Sequence, residues 1–266
     1  MTRPSRPAPR FLADDGERDP VRGLALDEAL VRSRAPRTTL RLWRLARCVV
    51  VGRAQLAHAE VDATACRAFG VPVYRRFTGG GAVYQDPGNL DVTLVIRRDD
   101  PLLAVYPKLA RIPGMYGLVT EPLAAAVRAL GLPAQAAERG VFLDGSKVSG
   151  VAGWTGREAI LVHATLLVDA DLATLERVLA GPGAPGDPRW ERTKSRRTRV
   201  TSLAEALGGV APGPSAVDAA VAAAFADGLS PLEPGAVDPD EADTAERLIV
   251  ERYERSQWHE AGDIAA

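Results

Sequence analysis

Apolar residues recur at helical spacing along Leu24, Ala25, Leu26, Ala29 and Leu30, and the next segment, 39–44, alternates as a half-buried strand does. The run Cys48-Val-Val-Val-Gly52 predicts a buried strand, 61–69 a short helix, and 71–76 another strand that leads into glycines. A strand over 90–96 precedes a longer helix through Leu118, Leu123, Ala126, Val127 and Leu130, and three strands are expected after it, at 141–143, 147–149 and 159–168. Beyond Asp171 the pattern turns helical, over 172–179, 203–207, 216–226 and 242–253, with 181–188 as a loop. Strands and helices come in blocks rather than in strict alternation. This predicts an α+β domain with a mixed or largely antiparallel central sheet flanked by helices, not a Rossmann fold. Residues 1–20 carry Pro, Arg and Asp without periodicity and read as a flexible N-terminal arm ahead of one domain over 21–266.

Composition narrows the function classes. A chain of 266 residues, 46% of them apolar, can bury a large core. Its 33 basic and 34 acidic side chains nearly cancel, so no global field draws it to nucleic acid or to an anionic membrane. An anionic ligand has to be held by a local site. No apolar run approaches the roughly 20 residues of a membrane-spanning helix, and the Arg- and Pro-rich start lacks the apolar stretch of a secretory signal, so a cytoplasmic protein is expected. Cys48 and Cys66 lie in apolar segments without CxxC or Cys/His spacing and are expected as buried free thiols.

Three segments carry candidate chemistry. In Arg75-Arg-Phe-Thr-Gly-Gly-Gly-Ala-Val-Tyr-Gln-Asp-Pro-Gly-Asn-Leu90, bracketed by two predicted strands, three successive glycines let backbone amides approach phosphate or carboxylate oxygens. Arg76 adds a planar fork for an anion, Thr78 a hydroxyl, and Asn89 a donor and an acceptor. The segment fits neither GxxxxGK[ST] nor GxGxxG, and taken alone a glycine triplet is more commonly a mobile hairpin connection. The second segment, 143–153, presents Lys147 at the head of a strand rich in small residues, where a solvated turn lysine is the plainer reading. In the third, 160–167, His163 and Thr165 interrupt an apolar strand, and a buried histidine bonded to its surroundings is the ordinary outcome.

Taken together and in order, the three segments resemble the lipoate protein ligase A family, part of a larger group with biotin protein ligases and octanoyltransferases. A family pattern of the form RRxSGGGAVxHDxGN is met by Arg75, Arg76, Thr78, Gly79 to Val83, Asp86, Gly88 and Asn89. GxKxSGxA is met by Gly145, Lys147, Ser149, Gly150 and Ala152, and HGTLL by His163, Thr165, Leu166 and Leu167. Weaker echoes run through 25–30, 40–43, 51–55, 199–203 and 253–258.

The resemblance implies the biotin/lipoate protein ligase catalytic-domain fold without the C-terminal accessory domain. It also implies a two-step reaction in which lipoate, or octanoate, and ATP with Mg²⁺ give an acyl adenylate, whose acyl group passes to a lysine of a lipoyl carrier domain. The carrier would be the E2 subunit of a 2-oxoacid dehydrogenase or the glycine cleavage H protein, and a separate small accessory subunit is implied as a partner. By the same resemblance Lys147 is catalytic, and Arg76, Thr78, Gly79, Gly80, Gly81, Ala82, Tyr84, Gln85, Asn89, Gly150, His163 and Thr165 contact the lipoyl or acyl-adenylate group. The apolar residues of 159–168 would line the acyl tunnel.

The chain departs from the pattern at Gln85 (histidine in the family), Ala164 (glycine), Trp154 (a polar or basic residue) and Arg139-Gly140, where an Asn-Asp pair for nucleotide and metal is usual. Asp144 or Asp86 is then the candidate replacement. Two rival activities follow from the same resemblance: acyl transfer without ATP through a cysteine, and a carrier-binding homologue that has lost adenylation.

Overall fold

The structure, a computed structural model, describes residues 8–34 and 36–261. In chain order its strands are β1 (Arg10–Leu12), β2 (Thr39–Trp43), β3 (Cys48–Val51), β4 (Val73–Arg75), β5 (Val83–Gln85) and β6 (Asn89–Arg97). They continue as β7 (Gln135–Ala137), β8 (Gly140–Leu143), β9 (Ser146–Thr155), β10 (Ala159–Leu167) and β11 (Glu233–Pro234). Helices α1 (Pro20–Arg32), α2 (Ala57–Glu60), α3 (Ala63–Ala68), α4 (Pro101–Val105) and α5 (Gly117–Ala129) lie in the first half. The second half holds α6 (Leu172–Val178), α7 (Pro188–Thr193), α8 (Leu203–Ala206), α9 (Pro214–Leu229), α10 (Pro239–Leu248) and α11 (Ser256–Ala261).

One sheet runs β11-β1-β2-β6-β10-β9-β8-β7 and a second runs β4-β3-β5. The first is antiparallel from β2 onward, while β1 pairs parallel with both β2 and β11, so the sheet is mixed. Side-chain caps on sequence-local aspartates start the helices: Asp19 ahead of Pro20, Asp62 on α3, Asp171 on α6, and a capping box of Asp238 with Glu241 on α10.

Three apolar clusters divide the interior. One packs α5 and α9 on one face of the large sheet, through residues such as Val119, Leu123, Val217 and Phe225 against Leu94, Ile160 and Val162. Another packs α1, α10 and Trp258 on the opposite face. The third joins the small sheet to α3 and α6. Cover on both faces corrects the expectation for 39–44. Every residue of β2 is buried, because Leu40 and Leu42 enter the first cluster while Trp43 enters the second, and Arg41 is paired with Asp27 of α1 at 2.8 Å.

The expected arm over 1–20 is also corrected. Residues 1–7 lie outside the described residues, but Arg10–Leu12 is a strand inside the large sheet. Arg10, 1% exposed, donates to both carboxylate oxygens of Glu241 at 2.8 and 2.6 Å and to Thr39 Oγ1. A three-residue strand whose partners lie at 39–41 and 233–234 has no local periodicity to betray it.

Candidate active site

The chain enters the glycine segment from β4, and the side chain that shapes the segment is Arg76, 4% exposed. Its guanidinium donates to Thr78 Oγ1 at 3.0 Å, to the Val50 carbonyl at 3.1 Å, and to the Gly79 and Gly81 carbonyls at 2.6 and 2.8 Å. Four donors of the fork are thus held by the protein itself. Arg76 is the template around which the glycine turn winds. Burial pushes its pKa down to about 10. Close approach, more than open space, demands the glycines. A Cβ on Gly52 would stand 2.2 Å from the Gly80 carbonyl oxygen, and one on Gly81 2.9 Å from Ser195 Oγ.

The turn is shorter than the sequence suggests. Residues 83–85 of the expected loop form β5, antiparallel to β3. This turns Gln85 and Asn89 into the interior, where Asn89 Nδ2 donates to the Tyr84 carbonyl and to Gln85 Oε1, and Gln85 Nε2 donates to Asp91 Oδ1 at 2.6 Å. Burial pushes the Asp91 carboxyl up to about 8, with the charge of Asp27 adding to the effect and Gln85 opposing it. Asp86, the candidate replacement for a metal ligand, accepts from the Gly88 and Asp171 amides and so fixes the turn onto the start of α6.

A polar chain supports the turn from behind. Thr78 Oγ1 lies 2.8 Å from His163 Nε2, and His163 Nδ1 lies 3.2 Å from Asp27 Oδ2. Asp27 accepts from the Nδ1 proton, and with burial favouring the neutral imidazole Nε2 is left to accept from the Thr78 hydroxyl, which assigns the neutral tautomer. Burial lowers the His163 pKa against the opposing pull of Asp27. Arg41 and Thr93 in turn hold Asp27, each at 2.8 Å. Thr78 and His163 therefore position the glycine turn.

Lys147 arrives from the other side, through the β8–β9 hairpin. A register shift between Val141 and Phe142 sets Lys147 opposite Phe142, with Nζ 6.0 Å from the ring centroid. Gly140 makes the room. A Cβ there would meet the Ser149 carbonyl oxygen at 1.9 Å and Lys147 Cε at 2.6 Å. The Arg139-Gly140 departure thus has a structural role, since the glycine admits the lysine chain. Burial, and then the charge of Arg139, lower the Lys147 pKa.

Between these two walls lies a cleft of about 340 Å³. Of the expected site residues, Lys147, Ala82, Tyr84, Gly150 and Thr165 line it. Arg76, Thr78, Gly79, Gly80, Gly81, Gln85, Asn89 and His163 are not among its lining residues. Most of the strand expected to line the acyl tunnel packs into the core. Ile160, Val162, Ala164 and Leu166 belong to the first core cluster, Leu161 to the second, and of the apolar residues in 159–168 Leu167 lines the cleft. The apolar lining combines Leu167, Val83, Tyr84 and Val200 with Leu175 and Leu179, one helical turn apart on α6 and its C-cap.

A strap over 195–201 also closes the cleft. Ser195 Oγ accepts from the Ala82 amide at 2.9 Å and from Gln55 Nε2 at 3.1 Å, and the Ser195 amide donates to the buried Glu60 carboxylate. At the other end the Lys147 amide donates to the Arg199 carbonyl at 2.8 Å and the Thr201 amide to the Lys147 carbonyl at 3.1 Å. Arg196, Arg197 and Arg199 are exposed at the cleft. Sequence reading caught the end of this strap as the weak echo over 199–203 but not Ser195, although five basic residues among the eight over 192–199 were an available signal.

Among the described residues no group of three His, Cys, Asp or Glu side chains stands together to hold a metal ion. Asp144, the other candidate replacement, is exposed in the hairpin turn at φ 46°.

The pattern of the lipoyl protein ligase A/B catalytic domain matches residues 19–226. The chain belongs to this family. Subunit 1 of the lipoate-protein ligase A of Thermoplasma acidophilum is 33% identical over 195 residues, 68% of this chain and 70% of that protein. Lipoate–protein ligase 1 of Staphylococcus aureus is 28% identical over 200 residues, 74% of this chain and 57% of that protein.

Among solved structures, a bipartite lipoate protein ligase of T. acidophilum, studied with its E2 lipoyl domain, superposes with a TM-score of 0.80 at 29% identity and covers 97% of this chain and 98% of its own. A lipoate-protein ligase A bound with ATP gives 0.79 at 27% identity, over 96% and 100%. The mixed sheet with flanking helices is thus that of the lipoate protein ligases, as the resemblance implied.

Proposed function

We propose that this lipoyl protein ligase-family chain activates lipoate, or octanoate, with ATP as the acyl adenylate and passes the acyl group to the ε-amine of a lysine on a lipoyl carrier domain. The observation that carries the reading is the meeting, in one cleft, of Lys147 with an apolar wall on one side and an arginine-bearing strap on another. In the first step a carboxylate oxygen attacks the α-phosphorus and pyrophosphate leaves. In the second, the neutral carrier amine attacks the acyl carbon, AMP leaves, and the amine loses a proton. Both steps move negative charge onto phosphate oxygens, and fixed cations and donors facing that charge accelerate them.

Lys147 is suited to this work. Its lowered pKa reflects charge held partly away from water, and an anion beside it would restore the ammonium. The Leu175 and Leu179 wall fits an aliphatic chain. Mg²⁺ usually reaches such sites on the nucleotide phosphates with one or two carboxylates, and Glu60 and Glu176 are the carboxylates that line the cleft; no step is routed through a metal.

The nearby relatives support a lipoyl carrier of the E2 type and a separate accessory subunit as partners; the glycine cleavage H protein is a second candidate carrier. A thiol route is disfavoured. Cys48 is fully buried with its thiol pKa driven well up by burial, and the Cys66 thiol is raised too, so neither offers a thiolate.

The deciding experiment incubates the chain with lipoate, octanoate or biotin, ATP and a lipoyl domain, with and without an accessory subunit, and reads intact mass and pyrophosphate. A lipoyl or octanoyl adduct with pyrophosphate release is expected. An adduct formed only from an acyl thioester donor, with no pyrophosphate, would overturn adenylation. Binding of the carrier without any adduct would favour the non-catalytic homologue.

A further inference from the structure

Ser195 is the one hydroxyl at the cleft whose lone pairs are both accounted for. Its Oγ accepts from the Ala82 amide at 2.9 Å and from Gln55 Nε2 at 3.1 Å. Neither donor is free to turn away. Ala82 is the residue that leads from the glycine turn into β5, and the Gln55 side chain is oriented by its own Oε1, which accepts from the Gly52 amide at 2.8 Å, while Nε2 also reaches the Thr193 carbonyl. A hydroxyl has two acceptor lone pairs and one proton. With both lone pairs taken, the Ser195 proton is left to donate, and Oγ donates no hydrogen bond among the described residues; the nearby Glu60 carboxylate is engaged by the Ser195 amide instead. The serine is partly exposed and lines the cleft that Lys147 and Arg199 also line.

The serine is also built in with care. Its amide is hooked on Glu60, 4% exposed, and Gly81 lacks a Cβ where one would press on Oγ at 2.9 Å. A hydroxyl that only tied the strap to the glycine turn would need one acceptor role, and would gain nothing from a second donor that leaves its proton unpaired.

We infer that Ser195 is a substrate-reading residue: its hydroxyl, polarised by two N–H donors, donates its proton to an anionic oxygen of the ligand, a carboxylate of the acyl substrate or a phosphate of the nucleotide. The inference rests on the proposed adenylating function and names a donor for it beyond Lys147. Two hydrogen bonds received at oxygen make the O–H a stronger donor, and a bond to a charged oxygen contributes more than one to a neutral group. The expected signature is therefore selectivity for charge.

Titration calorimetry on the full chain and its Ser195→Ala variant tests this in two arms. The carboxylate arm compares lipoate and octanoate with their primary amides, and the phosphate arm compares AMP with adenosine. Ser195→Ala is expected to weaken the charged member of one pair about tenfold while leaving the neutral member within about twofold, and the arm that responds names the oxygen. A Gln55→Ala variant keeps the hydroxyl but removes one of the two donors that polarise it, so it is expected to weaken the same charged ligand, by less than Ser195→Ala does. Equal losses for charged and neutral ligands in Ser195→Ala, or no loss in either arm, overturn the inference and leave the proposed function standing. If the wild-type chain binds no member of either pair, both are overturned.

Discussion

The two walls of the cleft use the same residue types to opposite ends. On the glycine side Arg76 is buried and four of its donors are held by the protein, and behind it Thr78, His163 and Asp27 continue a chain in which each proton has an acceptor. On the strap side Arg196, Arg197 and Arg199 are exposed, Arg197 with one bond, to the Gly181 carbonyl at 3.3 Å, and Lys147 sits half-buried beside them. A satisfied arginine shapes backbone; an unsatisfied one is available to a ligand. The difference teaches that an arginine's place in a motif does not disclose its work until its donors are counted. Stability should reside on the first wall and ligand affinity on the second.

The largest expected effect lies deep in the first wall. The Asp91 carboxyl is raised from 3.8 to about 8, so the folded chain keeps a proton that the unfolded chain releases near pH 4. Its contribution to stability is fully present below that pH and is lost as pH rises toward 8. At 1.36 kcal/mol per unit the change is on the order of 5 kcal/mol across the window. Asp91→Asn keeps the acceptor for Gln85 and should flatten this part of the stability profile, measured by urea unfolding at a series of pH values. An unchanged slope in the variant would assign the dependence elsewhere.

Next comes Arg76→Ala, which strands the Val50, Gly79 and Gly81 carbonyls and should cost about 4 kcal/mol, read from the same unfolding curves. Stability within 1 kcal/mol of wild type would mean that the turn holds its shape without its template. Lys147→Ala should do the reverse. Transfer to a lipoyl domain is expected to fall about 10²–10³-fold, the scale for losing one group that faces developing charge, while stability moves by less than about 0.5 kcal/mol. Wild-type turnover in that variant would sink the assignment of Lys147.

These asymmetries also explain what the sequence could disclose. Helices α1, α5 and α6 and the long strands β6 and β10 follow from apolar period and local caps, because both are written within a few residues. The members Lys147, Gly150 and Thr165 follow from motif resemblance. Three features were hidden, each for the same reason. β1 depends on partners at 39–41 and 233–234; the engagement of Arg76 depends on carbonyls that fall into place only once the turn is folded; and Ser195 depends on an amide 113 residues away. Polar side chains carry no marker of whether long-range partners will satisfy them. That β10 packs mostly into the core while α6 lines the cleft has a related cause, since an apolar strand reads the same whether it faces core or cleft.

The smallest effect is the sharpest contrast with Arg76. Arg196 stands one residue beyond the Ser195 anchor, exposed at the cleft, with no hydrogen bond or ion pair of its own among the described residues. Removing its side chain strands no carbonyl, so Arg196→Ala should leave unfolding within about 0.5 kcal/mol of wild type. Its attraction for an anionic ligand acts through solvent, where a single charge contributes little and salt screens it over about 10 Å at 0.1 M. A loss of about threefold in AMP affinity at low salt is therefore expected, about 0.7 kcal/mol, shrinking toward none in high salt. Adenosine should bind both proteins equally, because the effect is on charge. A loss that persists in high salt would mean that Arg196 makes a direct, dehydrated contact, and a loss of stability comparable to that of Arg76→Ala would erase the distinction between the two walls.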